Sequence, residues 1–167
     1  MTDWESFHRA HGIRPLINVS GTMTALGASI AVPEARQAVA EVLPQFVPIH
    51  AAQELASRAI ARATGAEAGF ITASASAGIT LAVAGAMTGL DPARVEQLPD
   101  ARGMKDEVVI QAGHMCNYGA PVEQAIRLAG ARVVPVGQST QAQDHQLAGA
   151  LGERTAAAVF VVSHHVV

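Results

Sequence analysis

A long stretch without a charged residue, from Ala68 to Leu90, constrains the fold of this chain more than any other feature. Its first part, up to Thr72, has the pattern of a short buried strand, and a turn of small residues follows. Beyond the turn the apolar residues recur with the period of a helix, so one face carries Ile79, Ala82, Val83, Ala86, Met87 and Leu90. The stretch is long enough to cross a membrane. Its Gly, Ser and Thr content and strand-like beginning favour a strand–turn–helix unit over that alternative.

The turn from Ala73 to Gly78 joins the predicted strand to the predicted helix. Backbone N–H groups at a helix start have no partner within the helix, and the helix dipole adds partial positive charge there. Small side chains would let an anion approach these groups, and Ser74 and Ser76 add hydroxyl donors. The pattern predicts a phosphate-binding turn. An ordinary tight turn capped by a serine explains the same residues, because the stretch is neither a Walker loop nor a GxGxxG motif.

Composition narrows the class of protein. The chain has 167 residues, half of them hydrophobic, which is enough for one domain with a substantial core. A net charge of −3 with a single lysine, Lys105, argues against a nucleic-acid-binding surface. The single cysteine, Cys116, excludes an internal disulfide and is typical of a reducing compartment. The N-terminus lacks the apolar core of a signal peptide, so we expect a cytoplasmic protein without a membrane segment.

Strand and helix patterns alternate from Ala66 onward, which predicts βαβ units and a parallel sheet in an α/β fold. Pro33 opens an earlier helix whose apolar stripe, ending at Leu43, is expected to face inward. Further predicted elements are helices over 52–63, from Pro121, and from an Asp144 cap to Leu151, strands over 107–111, 132–136 and 156–162, and a surface loop over 91–106. Gly65 is expected to cap the helix before it.

The N-terminal region, before this alternation, combines an arm with a polar segment. Residues 1–16 are predicted to form an arm whose aromatic residues, Trp4 and Phe7, dock elsewhere. Polar side chains then alternate along an extended stretch, at Asn18, Ser20, Thr22 and Thr24. Alternation places them on one face. That face is either the polar edge of a strand or a loop that faces a ligand.

Three polar clusters follow predicted strands, and ligands of parallel sheets bind beyond the carboxyl ends of the strands. The clusters are Ser74 with Ser76, His114 with Asn117 and Tyr118, and Ser163 with His164 and His165. Their convergence predicts a ligand site. A metal is disfavoured, because His114 and Cys116 lack a second ligand pair and the adjacent His164 and His165 point to opposite faces. A serine hydrolase is disfavoured because the chain has no G-x-S-x-G elbow.

Several segments carry a family resemblance by their order and spacing. They are 16–27 (LINVSGTMTALG), 64–68 (TGAEA), 113–114 (GH) with 117–121 (NYGAP), and 129–131 (AGA). Together they resemble the selenocysteine-synthase-like branch of fold-type-I pyridoxal phosphate (PLP) enzymes, and most closely its D-glucosaminate-6-phosphate ammonia-lyase-like members. The resemblance extends over nearly the whole chain, from Arg14 to Val167.

The resemblance implies an aspartate aminotransferase-like large domain, a mainly parallel sheet flanked by helices, with PLP at the interface of a homodimer or higher homo-oligomer. The matching cofactor-binding positions are Ala73, Ser74, Ala75, Ser76, His114 and His164. The first four would hold the PLP phosphate, His114 would stack on the pyridine ring, and His164 would lie beside the cofactor. The matching substrate-proximal positions are Asn18, Gly21 and Thr22.

The chain departs from the family in one important respect. The lysine that holds PLP as a Schiff base, and the carboxylate at the pyridine nitrogen, belong to positions beyond Val167. Lys105 matches neither role, so we assign no catalytic residue and no metal ligand. We expect residues 1–65 to form the arm and helices, residues 66–167 a truncated PLP-binding domain, and the C-terminal small domain to be absent. The chain would then be the N-terminal part of a longer enzyme and inactive alone.

The resemblance implies a PLP-dependent lyase that removes an α-proton and then eliminates the β-substituent, releasing ammonia from an amino-sugar acid or amino-acid-like substrate. A selenium-transferase-like or aminotransferase-like PLP enzyme is an alternative. From the residues alone, a non-catalytic α/β module that binds a phosphorylated ligand is a further alternative.

We predict that the isolated chain is marginally stable or aggregates. In the family's strand order, 3-2-4-5-6-7-1, the first strand lies beside the seventh, and this chain supplies strands 1 to 4 alone. The first strand would expose unpaired backbone groups and an apolar face. Thermal unfolding of the purified chain tests this, and a cooperative transition from a monomer would contradict it.

Overall fold

The computed structural model describes residues 4–162 and divides into two compact units, one ending at Phe46 and one beginning at Val47. The first unit contains helix α1 (Trp4–His11), a 3-10 turn (Thr24–Leu26) and helix α2 (Pro33–Val42). The second unit contains α3 (Ile49–Thr64), α4 (Ala75–Thr88), α5 (Pro92–Gln97), β1 (Glu107–Gln111), a 3-10 turn (Ala112–His114), α6 (Val122–Leu128), β2 (Arg132–Val136), α7 (Asp144–Ala150) and β3 (Thr155–Val159).

The first unit contains a helix where the sequence predicts an arm, and its apolar side chains are more exposed than the sequence predicts. The predicted arm begins as α1, where the Phe7 ring is 54% exposed and contacts the His11 ring of its own helix at 4.5 Å between centroids. Docking of Phe7 on another part of the protein stays a prediction, and the Trp4 side chain lies outside the described structure. Pro33 opens α2 as predicted. The apolar stripe ending at Leu43 is exposed, and none of the described residues of α2 is buried.

A three-stranded parallel sheet organises the second unit, in the order β2-β1-β3. This confirms the predicted α/β class. β1 lies in the middle, where Val108 and Val109 are 0% exposed. Successive strand residues face opposite sides of a sheet. Val108 packs with α4 and α6 in the main core, and Val109 faces the side covered by α7.

β1 and β2 lie at their predicted positions, and three other elements differ from expectation. β3 covers Thr155–Val159 rather than 156–162. The region predicted as a loop contains α5, because the Asp91 carboxylate caps the Ala93 N–H at 3.0 Å and Pro92 occupies the first turn. Gln143, not Asp144, is the N-cap of α7, in a capping box with Gln146.

Helix α4 buries a different face from the predicted one. Val83 and Met87 are buried as expected, but Ala82, Ala86 and Leu90 are exposed. Thr88 is buried instead, and its hydroxyl donates to the Ala84 carbonyl oxygen at 3.0 Å. A helix without charges carries little sequence information about which face turns inward, so hydroxyl groups bonded within the helix can join the core.

No helix within residues 4–162 combines the length and apolarity needed to span a bilayer. The charge-free stretch divides at Ser74, where α4 begins.

An ion cluster joins the amino ends of the strands. The Arg154 side chain donates to both carboxylate oxygens of Asp106 at 2.7 Å and lies 3.3 Å from Glu107, which also pairs with Arg132. The hydrogen bonds that the Arg154 guanidinium donates to Asp106 raise its pKa above the ordinary value. The cluster lies at the opposite ends of the strands from His114.

We predict that Gly130→Ala destabilises the chain far more than Gly119→Ala. Both glycines have left-handed φ, +91° and +94°, so both substitutions incur a backbone cost of about 1 kcal/mol. A Cβ at Gly130 would also lie 2.1 Å from the Pro99 carbonyl oxygen, whereas a Cβ at Gly119 meets no atom within 4 Å. Urea unfolding of the intact gene product should show a loss above about 2 kcal/mol for the first variant. Equal losses would contradict the close approach of Gly130 to Pro99.

Candidate functional site

Residues 68–72 lead into the site and do not form the buried strand that the sequence predicts. The described sheet has three strands, and this segment lies outside it, with Phe70 and Ile71 exposed. Side chains of α3 hydrogen bond to its backbone instead of a neighbouring strand. Gln53 donates to the Ile71 carbonyl oxygen at 2.9 Å and accepts from the Ile71 N–H at 3.1 Å, and the Ser57 hydroxyl accepts from the Gly69 N–H at 3.0 Å.

The turn after this segment is capped by Ser74, which is the feature of the alternative interpretation, an ordinary turn capped by a serine. Ser74 has extended backbone angles, φ −162° and ψ 164°, and its hydroxyl oxygen accepts from the Ala77 N–H at 3.1 Å. The Thr72 hydroxyl donates to the Ser74 carbonyl oxygen at 2.8 Å and fixes the approach of the chain. The N–H groups of Ala75 and Ser76 lie in the same first turn, where helix geometry offers them no intrahelical partner.

The electrostatics of this turn suit an anion. Among its described residues, α4 has no acidic residue in its first turn and no charged residue along its length. Ala73, Ser74 and Ala75 are exposed, and Ser76 is half-buried. The positive end of the helix dipole is therefore uncompensated and accessible. The capped turn is confirmed as a structure, and phosphate binding by Ala73, Ser74, Ala75 and Ser76 stays a prediction.

His114 lies at the carboxyl end of β1 and is buried, with 4% of the residue exposed. Its Nδ1 accepts from the Val161 N–H at 3.4 Å, so the proton of the neutral ring is on Nε2. The Phe160 ring meets the imidazole edge-on, with centroids 4.6 Å apart and an interplanar angle of 79°. These two contacts hold the imidazole in one orientation.

The predicted stacking of His114 on a cofactor ring stays a prediction. The His114 ring lies at the expected strand end, but it is buried, so less of its surface is accessible for stacking than on an exposed ring. His164, together with Ser163 and His165, lies outside the described residues.

The loop after His114 closes on itself. The Val122 N–H donates to the Cys116 carbonyl oxygen at 3.0 Å, and the Asn117 side chain accepts from the Gly119 N–H at 2.9 Å. Cys116 is half-buried, with its sulfur 3.8 Å from the Gly113 carbonyl oxygen. Within residues 4–162, no three His, Cys, Asp or Glu side chains come close enough together to hold a metal ion.

A cavity of about 260 Å³ opens at the carboxyl ends of the strands, on the α7 side of the sheet. Apolar side chains from all three strands form most of its wall, and the polar groups come from the loop ends and α7. The lining residues are Val109, Ile110, Gln111, His114, Val136, Ala142, Gln143, Asp144, Leu147, Ala158, Val159 and Phe160. The cavity places His114 and Phe160 at the edge of the sheet where parallel-sheet ligands bind.

In the first unit, the segment predicted to be near a substrate forms a turn. The Asn18 side chain donates to the Gly21 carbonyl oxygen at 2.7 Å and accepts from the Ser20 N–H at 2.9 Å. Gly21 has a left-handed φ of +76°, which this turn requires. Thr22 is exposed. The hydrogen bonds of the Asn18 amide are local, and proximity of Asn18, Gly21 and Thr22 to a substrate stays a prediction.

Sequence reasoning missed Gln53, Ser57 and Phe160. Gln53 and Ser57 are four residues apart on α3 and therefore lie on one side of the helix. This polar pair is the one signal that could have identified them. For Phe160, nothing in the local sequence indicates which ring it contacts.

The sequence and the structure were compared with known proteins. No protein-family model matches the sequence. The chain is 49% identical over 156 residues to D-glucosaminate-6-phosphate ammonia lyase of Salmonella typhimurium (strain 14028s / SGSC 2262), covering 93% of this chain and 42% of that protein. It is 34% identical over 153 residues to 5'-C-glycyluridine monooxygenase-decarboxylase of a Streptomyces species, covering 91% of this chain and 38% of that protein.

A solved structure of D-glucosaminate-6-phosphate ammonia-lyase matches the fold with a TM-score of 0.93 at 47% identity, covering 100% of this chain and 45% of that one. The chain thus spans less than half the length of the proteins that it matches.

We predict that Ser74→Ala lowers the free energy of unfolding by about 1 kcal/mol, because the Ala77 N–H loses its cap. Ser76→Ala is the matched control, since it removes a hydroxyl from the same turn and leaves that cap intact. Urea unfolding of both variants, made in the intact gene product, provides the measurement. A loss in the control as large as that in Ser74→Ala would contradict the cap assignment.

Proposed function

Because this chain is homologous to D-glucosaminate-6-phosphate ammonia lyase over 93% of its length, we propose that it forms the phosphate-holding part of a PLP-dependent lyase. The observation that carries the proposal is this sequence identity, together with a fold that matches the solved lyase structure over the whole chain. The segments 16–27 and 113–121 also resemble this branch of the family. The activity is a proposal, because the chain spans less than half of these relatives.

The turn at the start of α4 fits the phosphate of PLP. In the proposed complex, the N–H groups of Ala75 and Ser76 and the Ser76 hydroxyl donate to phosphate oxygens. Ser74 keeps its hydroxyl oxygen on the Ala77 N–H, so its part is to shape the turn. A phosphate ester carries close to two negative charges, which suits a helix start without acidic neighbours.

His114 is the proposed neighbour of the pyridine ring. Its Nδ1 is held by the Val161 N–H, which leaves the Nε2 proton as the donor that the ring can offer. The Phe160 edge limits rotation of the imidazole. His114 would therefore orient the cofactor as a fixed, neutral group. When bound, PLP would supply the electron sink that acidifies the α-proton of an amino-acid substrate.

Lys105, the one lysine of this sequence, is poorly placed to anchor PLP. It precedes β1, at the amino end of the sheet near Asp106, whereas His114 follows the carboxyl end of the same strand. The anchoring lysine is proposed to belong to another part of the protein.

The proposed substrate is an amino acid built on a sugar skeleton. Glucosaminate 6-phosphate is an amino-sugar acid, and glycyluridine joins a glycyl group to a nucleoside. The greater identity with the first protein favours the ammonia-releasing reaction over the decarboxylation. As the family resemblance implies, we further propose that the protein works as a homodimer or higher homo-oligomer.

The reaction is tested by measuring ammonia release from D-glucosaminate 6-phosphate by the intact gene product, with and without added PLP. We expect release that depends on PLP and is weaker with unphosphorylated D-glucosaminate. Absence of ammonia release together with absence of PLP binding would overturn the proposal and favour the module that binds a phosphorylated ligand without catalysis.

The phosphate site is tested by Ser76→Asp. A carboxylate in the first turn of α4 interacts favourably with the helix dipole, so stability should hold or rise slightly. The same charge should repel the PLP phosphate and weaken PLP binding by about tenfold or more, while binding of pyridoxal, which lacks the phosphate, changes little. Lys105→Ala is the control and should bind PLP like the unmodified protein. Unchanged PLP affinity in Ser76→Asp would contradict this assignment of the phosphate.

A further inference from the structure

A single side chain, that of Gln53, hydrogen bonds to both the carbonyl oxygen and the N–H of Ile71. The Gln53 amide nitrogen donates to the Ile71 carbonyl oxygen at 2.9 Å, and the Gln53 amide oxygen accepts from the Ile71 N–H at 3.1 Å. This is the exchange that an antiparallel neighbour makes with a paired strand residue. The Gln53 side chain of α3 thus makes the two hydrogen bonds that a neighbouring strand would make to Ile71.

A second contact continues the same edge. The Gly69 N–H and the Ile71 N–H lie two residues apart, and both donate to side chains of α3. The Ser57 hydroxyl accepts from the Gly69 N–H at 3.0 Å, one helical turn beyond Gln53. Gly69 also permits a close approach, because a Cβ there would lie 2.5 Å from Ile60 Cβ.

These contacts end where the turn begins. Ile71 is followed by Thr72, whose hydroxyl donates to the Ser74 carbonyl oxygen at 2.8 Å, and Ser74 caps α4. The position of the Ala75 and Ser76 N–H groups is therefore set by α4 on one side and by the Gln53 contact on the other. Without Gln53, the entry to the turn would keep only the contacts of Thr72 and Gly69 among those described.

We propose that Gln53 is a positioning residue for the phosphate-binding turn. The inference rests on the proposed function, since that function places the phosphate at Ala75 and Ser76. Gln53 does not touch the ligand. It holds the segment that enters the turn, and it acts on the two N–H groups through Ile71 and Thr72.

The test compares two ligands that differ by the phosphate alone, PLP and pyridoxal, in titrations of the intact gene product. Gln53→Leu removes both hydrogen bonds with a side chain of similar size. Gln53→Glu keeps the acceptor for the Ile71 N–H and loses the donor to the Ile71 carbonyl oxygen. Glu54→Gln is the control, because it breaks the exposed ion pair with Arg58 on the same helix and leaves the edge contacts intact.

We expect Gln53→Leu to weaken PLP binding by about tenfold and pyridoxal binding by less than about twofold. Gln53→Glu should fall between Gln53→Leu and the unmodified protein, and Glu54→Gln should match the unmodified protein. A purely structural role would lower both affinities together, or neither, and would overturn the inference. If Gln53→Leu does not fold, the same comparison made with Gln53→Glu decides the question.

Failure of the proposed function would give a different result. In that case the unmodified protein would show no preference for PLP over pyridoxal. A clear preference in the unmodified protein that both Gln53 variants retain would reject the positioning role and leave the proposed function standing.

Discussion

The burial of β1 between two parallel neighbours is the constraint on which the second unit depends. Val108 and Val109 have no exposed surface, and each side chain faces a different helical layer. Pairing on both sides of β1 aligns the carboxyl ends of three strands at one edge. The ion cluster around Arg154 lies at the amino ends of the strands. It is therefore separated along the strand direction from the mainly apolar cavity at the carboxyl ends.

The capped turn before α4 depends on a different kind of interaction. Its entry segment is held by side chains of α3 rather than by a sheet ladder, and its exit is the first turn of α4. The described strands do not pair with this segment, and its backbone groups find partners in polar side chains of a neighbouring helix. Gln53 and Ser57 therefore supply hydrogen-bond partners to the backbone of this segment, as β2 and β3 supply them to the backbone of β1.

Local patterns predicted much of this fold, and long-range contacts account for the differences. β1 and β2 followed from short apolar runs, and Gly65 caps α3 with φ +75° as its position after the helix predicted. The serine cap at Ser74 followed from the same kind of rule. The buried face of α4 and the hydrogen bonds of 68–72 depend on what packs against them, which a single sequence does not reveal. The same holds for the Phe160 ring at His114.

The contact between Gly69 and Ile60 has a mechanical consequence. Because Gly69 has no side chain, its backbone packs directly against the Ile60 side chain of α3. Gln53 of the same helix hydrogen bonds to Ile71, two residues later. Packing at Gly69 and the Gln53 hydrogen bonds therefore couple α3 to the segment that enters α4. α3 begins at Ile49, just after the unit boundary at Val47, so this coupling lies within the second unit.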